Sequence, residues 1–398
     1  MGTFQDILRS GKPIHIAVDY YNPNHKALLS AYPNGAAIDG IVGNTVAIPA
    51  PEFLSYCLFV NKRDTGIGLN SYSAIKNGLN DRMGDFNDGL ALTPTSLRTI
   101  RTGNDQIAGL SEKIGVGMAL SVVSRLHGLT EADWERIPIG SSKSLDFRRA
   151  CDDVGYVQVE AKGTSIPDNS GPKTTGISNF AKDIGEKKDE VRAKGYPVTV
   201  YGTIGTIDTR QDSVMKCWLL DPPGVPSYRD PREQRILNRL FFIAELMEAI
   251  FPQSPMTVDL YKRLAILVSA EKMYEYDKHP LSVHKSNIDH AIFTRKTHTI
   301  DKSVLGVVVP IRDGSRLFFG VQRKLLDAAY KQDFGALLDL SWSSTTDKET
   351  LTGIDFVEED QADTANKDRS ADGKKKQRHE LAVLQIASSG RVFGLIGN

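Results

Sequence analysis

The sequence predicts an α/β fold: a central mixed sheet flanked by helices, built in the order helix, hairpin, helix, strand, and set between an N-terminal α/β region and a C-terminal α+β region. Three observations predict it. Ile107, Leu110, Ile114, Met118, Val122 and Leu126 recur at spacings of three and four, the period of an amphipathic helix. Two strand-like runs follow, Lys143 to Ala150 and Tyr156 to Lys162, separated by Cys151-Asp152-Asp153-Val154-Gly155, whose Asp and Gly content suits a tight turn. Ile177, Phe180, Ile184 and Val191 then mark a second helix, after which Tyr196 to Ile207 and Val214 to Leu220 read as strands.

Taken in order, residues 1–100 form an accessory region in which short apolar runs (Ile14 to Val18, Ala47 to Ile48, Leu58 to Val60) alternate with Gly, Asn and Pro. Residues 101–225 form the core. Asn104 or Asp105 supplies the cap of its first helix and Gly128 its end; its second helix stops near Gly195, and Asp221-Pro222-Pro223 halts its last strand. Residues 226–398 form a helical and β-hairpin region. Arg232 to Phe251 is one periodic helix, and Ser254-Pro255 offers an N-cap and first-turn proline for another running to Tyr276, the two forming a packed helical hairpin. Val304 to Val321 reads as two strands about Asp313-Gly314, with a helix from Arg323, and Leu381 to Ile396 as a hairpin about Ser388-Ser389-Gly390. Residues 358–379 are nearly devoid of apolar groups and read as a mobile charged loop.

The 398 residues carry 49 Lys+Arg against 49 Asp+Glu, which excludes a polybasic protein that holds nucleic acid by bulk charge. Cys57, Cys151 and Cys217 are scattered, without a Cys-x-x-Cys pair, so neither a disulfide framework nor a cysteine zinc site is expected. The start of the chain lacks a basic region followed by an apolar stretch, and the most apolar later run, Leu240 to Phe251, is broken by Glu245 and Glu248. The expectation is a cytoplasmic protein without membrane contact. No phosphate-binding Gly-x-x-x-x-Gly-Lys-Ser/Thr loop occurs, so nucleotide-fuelled work would fall to another subunit.

The chemistry concentrates in residues 143–164, KSLDFRRACDDVGYVQVEAKGT. A strand through 156–162 puts Gln158, Glu160 and Lys162 on one face and Val157, Val159 and Ala161 on the other. With the turn centred on Asp153, residues whose numbers sum to 306 face each other, and Asp146 stands opposite Glu160. In a different register Asp152 or Asp153 becomes the partner. Facing carboxylates repel unless a cation sits between them, and Mg²⁺ takes a few carboxylate oxygens while keeping waters and substrate phosphate in its shell.

Asp…Glu-x-Lys on a hairpin, preceded by a helix and followed by a helix and strand, resembles the PD-(D/E)xK nuclease superfamily over residues 104–220. The resemblance implies a restriction-endonuclease-like core. It also implies that Asp146 and Glu160 hold Mg²⁺ (or Mn²⁺), that Lys162 assists the attacking water, and that Glu112, in Ser111-Glu112-Lys113-Ile114-Gly115 on the preceding helix, is a further ligand or water positioner. The family's proline before the aspartate is replaced by Leu145.

Other motifs take plainer readings. Glu186-Lys187-Lys188 and Asp372-Gly373-Lys374 also contain acid and lysine but do not lie on strand-like patterns; Lys182, Lys187 and Lys188 could line a nucleic-acid groove, yet Asp183, Glu186, Asp189 and Glu190 alternate with them, which favours a solvated helix face. Lys374 to Arg378 is a charged loop, and His284, Asp289, His290 and His298 fit no zinc spacing. The resulting expectation is a magnesium-dependent, metal-binding endonuclease: a hydrolase of DNA phosphodiester bonds, in restriction or antiviral defence. The alternatives are a noncatalytic DNA-binding or assembly subunit, an RNase, or a DNA-repair nuclease. Zero net charge implies weak, salt-sensitive binding by the isolated chain, with affinity coming from a homo-oligomer or a partner subunit. The helices at 232–276 suit such an interface, and equally suit covering the sheet.

Overall fold

The computed structural model describes residues 3–60, 72–101, 105–135, 147–152, 154–169, 173–193, 200–220, 230–251, 254–269, 298–300, 303–311, 314–339, 344–353 and 378–397. The chain opens with α1 (Phe4–Ser10), β1 (Ile14–Tyr20), a 3₁₀ stretch (Pro23–Ala31), α2 (Gly35–Ile41), β2 (Thr45–Ile48), α3 (Ala50–Phe59), α4 (Tyr72–Gly89) and the small pair β3 (Leu90–Leu92) and β4 (Leu97–Thr99). It continues through α5 (Leu110–His127), a 3₁₀ turn (Glu131–Asp133), β5 (Phe147–Cys151), β6 (Tyr156–Ser165), α6 (Thr175–Ala193), β7 (Val200–Ile207) and β8 (Met215–Leu220). Then come α7 (Pro231–Ile250), α8 (Pro255–Ser269), β9 (His298–Ile300), β10 (Val304–Pro310), β11 (Arg316–Gln322), α9 (Arg323–Lys331), α10 (Phe334–Leu338), β12 (Thr345–Gly353), β13 (Arg378–Ile386) and β14 (Arg391–Ile396).

A six-stranded mixed sheet runs β2-β1-β8-β7-β6-β5. β5 and β6 form an antiparallel hairpin, α6 crosses over to β7 parallel to β6, and β8 returns antiparallel to β7. A crossover helix is what parallel neighbours require. β1 pairs parallel with β8 and β2 antiparallel with β1, so the first strands of the chain extend the same sheet.

Helices cover both faces of the sheet. α5 begins at Leu110 with Gly109 at its N-cap, later than the expected cap at Asp105 (Asn104 lies outside the described residues), and ends on Gly128, whose φ of 62° is the left-handed conformation glycine adopts freely. It lies close against the sheet through glycine: a Cβ on Gly163 would sit 1.8 Å from the Ser111 carbonyl oxygen, and one on Gly115 would sit 2.4 Å from the Gly163 Cα. α6 takes the opposite face, where Ile177, Ile184, Ile204, Trp218 and Leu220 form a separate apolar cluster.

The six strands β9 to β14 close into an antiparallel barrel in the order β10-β11-β14-β13-β12-β9. Its interior holds Val304, Phe318, Ala382, Leu384, Val392 and Ile396. Leu305, Val309, Leu317, Phe319, Phe393 and Leu395, of the opposite parity, join the main core of the chain. Strands apolar on both faces bury both; the barrel is therefore docked on its outer side. Charge completes the joint. Arg391 of β14 donates two hydrogen bonds to buried Glu131 (2.8 and 2.9 Å), and its guanidinium lies 4.4 Å from the Phe59 ring centroid. Beside it, Asp133 accepts from Arg239 Nε at 2.6 Å and Arg235 Nε at 3.1 Å, and Arg239 also donates to the carbonyls of Leu337 and Leu338 at the end of α10.

Candidate functional site

The hairpin that carries the motif has two registers. Phe147 pairs with Val159, a sum of 306, whereas Ala150 pairs with Val157 and Cys151 with Tyr156, sums of 307, and a β-bulge between Phe147 and Ala150 absorbs the difference. The register expected from the sequence holds at the open end of the hairpin and slips by one at the turn. Asp146, the residue before Phe147, lies outside the described residues.

Strand alternation places Glu160 and Lys162 together. Gly202, the registered neighbour of Glu160, would push a Cβ into Ile184 of α6, so this row faces α6; Gly163, of opposite parity, faces α5. The Glu160 carboxylate is fully buried, and the Glu160 carbonyl accepts a hydrogen bond of 3.2 Å from the Thr203 hydroxyl on β7. A carboxylate at that depth is stable only with partners, because desolvation costs several kcal/mol. Two cations supply them: Lys162 Nζ at 3.4 Å and Lys187 Nζ at 2.5 Å, both on Oε1. The lysines are 17% and 22% exposed, so the cluster opens to solvent on their side. Gln158, two residues earlier on the same face, is buried with an Oε1 that finds no hydrogen-bond partner among the described residues.

The second lysine corrects the reading of α6 as an ordinary solvated face. Lys182 fits that description, at 77% exposed and 3.9 Å from Glu186. Lys187 reaches β6, and Lys188 is buried, donating to the Leu220 carbonyl at 3.3 Å. The signal was present in the spacing: Ile177, Ile184 and Lys188 fall on one helical stripe, and Lys187 borders it.

Glu112 sits in the first turn of α5 and is exposed. Its helix covers the face opposite Glu160, although its neighbour Ser111 touches Gly163 at the end of the motif. Among the described residues, no group of three or more His, Cys, Asp or Glu side chains is placed to hold a metal. Glu160 nevertheless has the right donor chemistry, a hard carboxylate oxygen, and Mg²⁺ uses one or two such carboxylates with waters and phosphate. The described part of the motif supplies one; Asp146 would be the second.

Asp152 has a different task. It is buried at the turn, where Oδ1 accepts the Val154 and Gly155 amides (2.9 and 2.8 Å) and Oδ2 accepts the Tyr32 hydroxyl and His127 Nδ1 (2.9 Å). His127 Nε2 lies 3.0 Å from the Tyr201 hydroxyl on β7. Burial pushes the Asp152 carboxyl up, but the donors from His127, Tyr32 and Gly155 outweigh it and hold the group below its usual range. Burial raises Tyr201 well above the ordinary phenol range, so its hydroxyl keeps its proton. An ionised Asp152 is acceptor-only, so the His127 Nδ1 that faces it carries hydrogen, while Nε2 makes the bond to the Tyr201 hydroxyl. The network fastens the turn to the end of α5, to β7 and to the N-terminal region.

Cys57, Cys151 and Cys217 are all buried and none is in a disulfide; burial raises the thiols of Cys57 and, to about 12, Cys217, which suits packing groups rather than nucleophiles. His284, Asp289 and His290 lie outside the described residues, as do Lys374 to Gln377 and residues 358–377 of the charged loop; His298 and Arg378 begin β9 and β13. No described helix is long and apolar enough to cross a membrane. No protein-family model, curated protein or solved structure matches the chain.

Proposed function

We propose that the chain is a Mg²⁺-dependent endonuclease that hydrolyses DNA phosphodiester bonds, built on a restriction-endonuclease-like core. The single observation that carries the reading is Glu160: a fully buried carboxylate on the second strand of a hairpin, with the Lys162 ammonium beside it on the same face. The module around it supports the reading. A helix precedes the hairpin, a crossover helix follows it, and the next strand runs parallel to β6. Asp146 and Glu160 would hold Mg²⁺; Glu112, exposed on the helix that covers the opposite face of the sheet, is not among the groups gathered around Glu160. An ion held there would supply Lewis-acid chemistry, polarising phosphate and lowering the pKa of water. Glu160 keeps the Lys162 ammonium at the site, and that ammonium orients the attacking water and meets the negative charge that develops on phosphorus. The rigid sheet row Glu160, Gly202, Leu220 fixes these groups in place.

The test is cleavage of linear and supercoiled DNA, with RNA in parallel, by the purified full chain in Mg²⁺ or in EDTA. Mg²⁺-dependent nicking that Glu160→Gln and Lys162→Ala each abolish is the expected result. Equal cutting in EDTA, or full activity in both variants, sinks the reading.

A further inference from the structure

We propose that Lys187 and Lys162 form a two-ammonium clamp for one phosphate of a nucleic-acid backbone, which makes Lys187 a phosphate-binding residue. The inference rests on the nucleic-acid reading above but not on catalysis. Neutralising Glu160 requires one cation, yet two converge on the same oxygen, at 2.5 and 3.4 Å. Taken by themselves, these three side chains carry one surplus positive charge, and the two ammonium groups share a partly desolvated place where like charges repel more strongly than in water. An anion relieves that repulsion.

The donors suit one. Each ammonium has three N–H groups; Lys187 directs one at Oε1, Lys162 stands 3.4 Å from the same oxygen, and both side chains remain partly open to solvent. Neighbours on α6 show that the placement is specific. Lys188 satisfies itself on a backbone carbonyl, and Lys182 stays in solvent with Glu186, so neither competes for the site. A phosphodiester, with one negative charge and two unesterified oxygens, matches both the surplus charge and the pair of donors. Sequence plays no part in such a contact.

The experiment measures binding rather than turnover. A labelled 20-mer duplex, and the same sequence as single strand and as RNA, is titrated with the full chain in EDTA at several KCl concentrations. Lys187→Gln should weaken binding of every sequence alike and reduce the slope of log K against log salt by about 0.7–0.9, one phosphate contact. Lys187→Arg should restore the slope, and Lys182→Gln should leave it unchanged. An unchanged slope in folded Lys187→Gln overturns the clamp, as does an equal loss in Lys182→Gln. If Lys187→Gln does not fold, comparison of Glu160→Gln with Glu160→Gln/Lys187→Gln isolates the same contact without a buried charge left over. A slope change without Mg²⁺-dependent cleavage supports the clamp and defeats the nuclease reading; cleavage with no slope change does the reverse.

Discussion

His127 Nδ1 lies 2.9 Å from Asp152 Oδ2, joining the last residue of α5 to the turn of the hairpin that bears Glu160. Through the Asp152 amide contacts and the His127–Tyr201 bond, one buried carboxylate fixes four pieces of chain. Asp152→Ala should therefore cost about 2–4 kcal/mol in urea unfolding, since it leaves several buried donors without an acceptor.

The same group sets an acid limit. Because the folded-state Asp152 titrates below its unfolded value, its contribution is fully present above about pH 4 and is lost as pH falls through the folded pKa. The stability gap between wild type and Asp152→Asn should shrink as pH falls below about 4. A gap that widens on acidification would contradict the assignment.

Asp133 and its two arginines provide the second stability test. Burial raises the Asp133 carboxyl, while Arg239 and Arg235 more than offset it and hold it low. Removing one arm in Arg239→Met leaves a buried carboxylate half-neutralised, at a cost of about 3–5 kcal/mol by denaturant titration.

Arg391 links the barrel to the rest of the chain. Arg391→Met strands Glu131 without its guanidinium, and amide exchange in β14 and β11 should accelerate more than in β6 and β7. Uniform acceleration across both sheets would show that the barrel and the α/β layer unfold as one unit.

Helix-to-sheet contact at Gly163 leaves no room for a methyl group, because the nearest atom is backbone rather than a movable side chain. Gly163→Ala should lower stability by roughly 1–3 kcal/mol and displace the start of α5 from the motif strand. Thermal unfolding together with the cleavage assay would register both effects.

Much of this architecture was legible in the residues. The period of α5, its Gly128 stop, the strand pair predicted about Gly314 and the hairpin at Ser388 to Gly390 are local signals, and each corresponds to an observed element, although Asp313 lies outside the described residues. The alternation in Val157 to Lys162 separated the apolar face from the face of Glu160 and Lys162. The slip at the turn was not legible, because a bulge depends on how two strands twist against each other. Lys187 does not stand out because its neighbours Glu186, Asp189 and Glu190 make the segment look uniformly charged; the stripe of Ile177, Ile184 and Lys188 marks the inward side of α6, and its packing on β6 brings Lys187, at the border of that stripe, to Glu160.

By itself, the sequence pointed to where chemistry could reside: a balanced charge, Glu-x-Lys on a strand, and no other motif of comparable specificity. Local periodicity suffices for that, since the faces of a strand or helix follow from backbone geometry alone. The tertiary structure decided what surrounds Glu160. It brought a second ammonium from a helix 27 residues away, anchored the hairpin turn on His127 and Tyr201, and added the first two strands of the chain to the sheet. Those are contacts between distant segments, set by packing and by the need to neutralise a buried charge, and no local pattern encodes them.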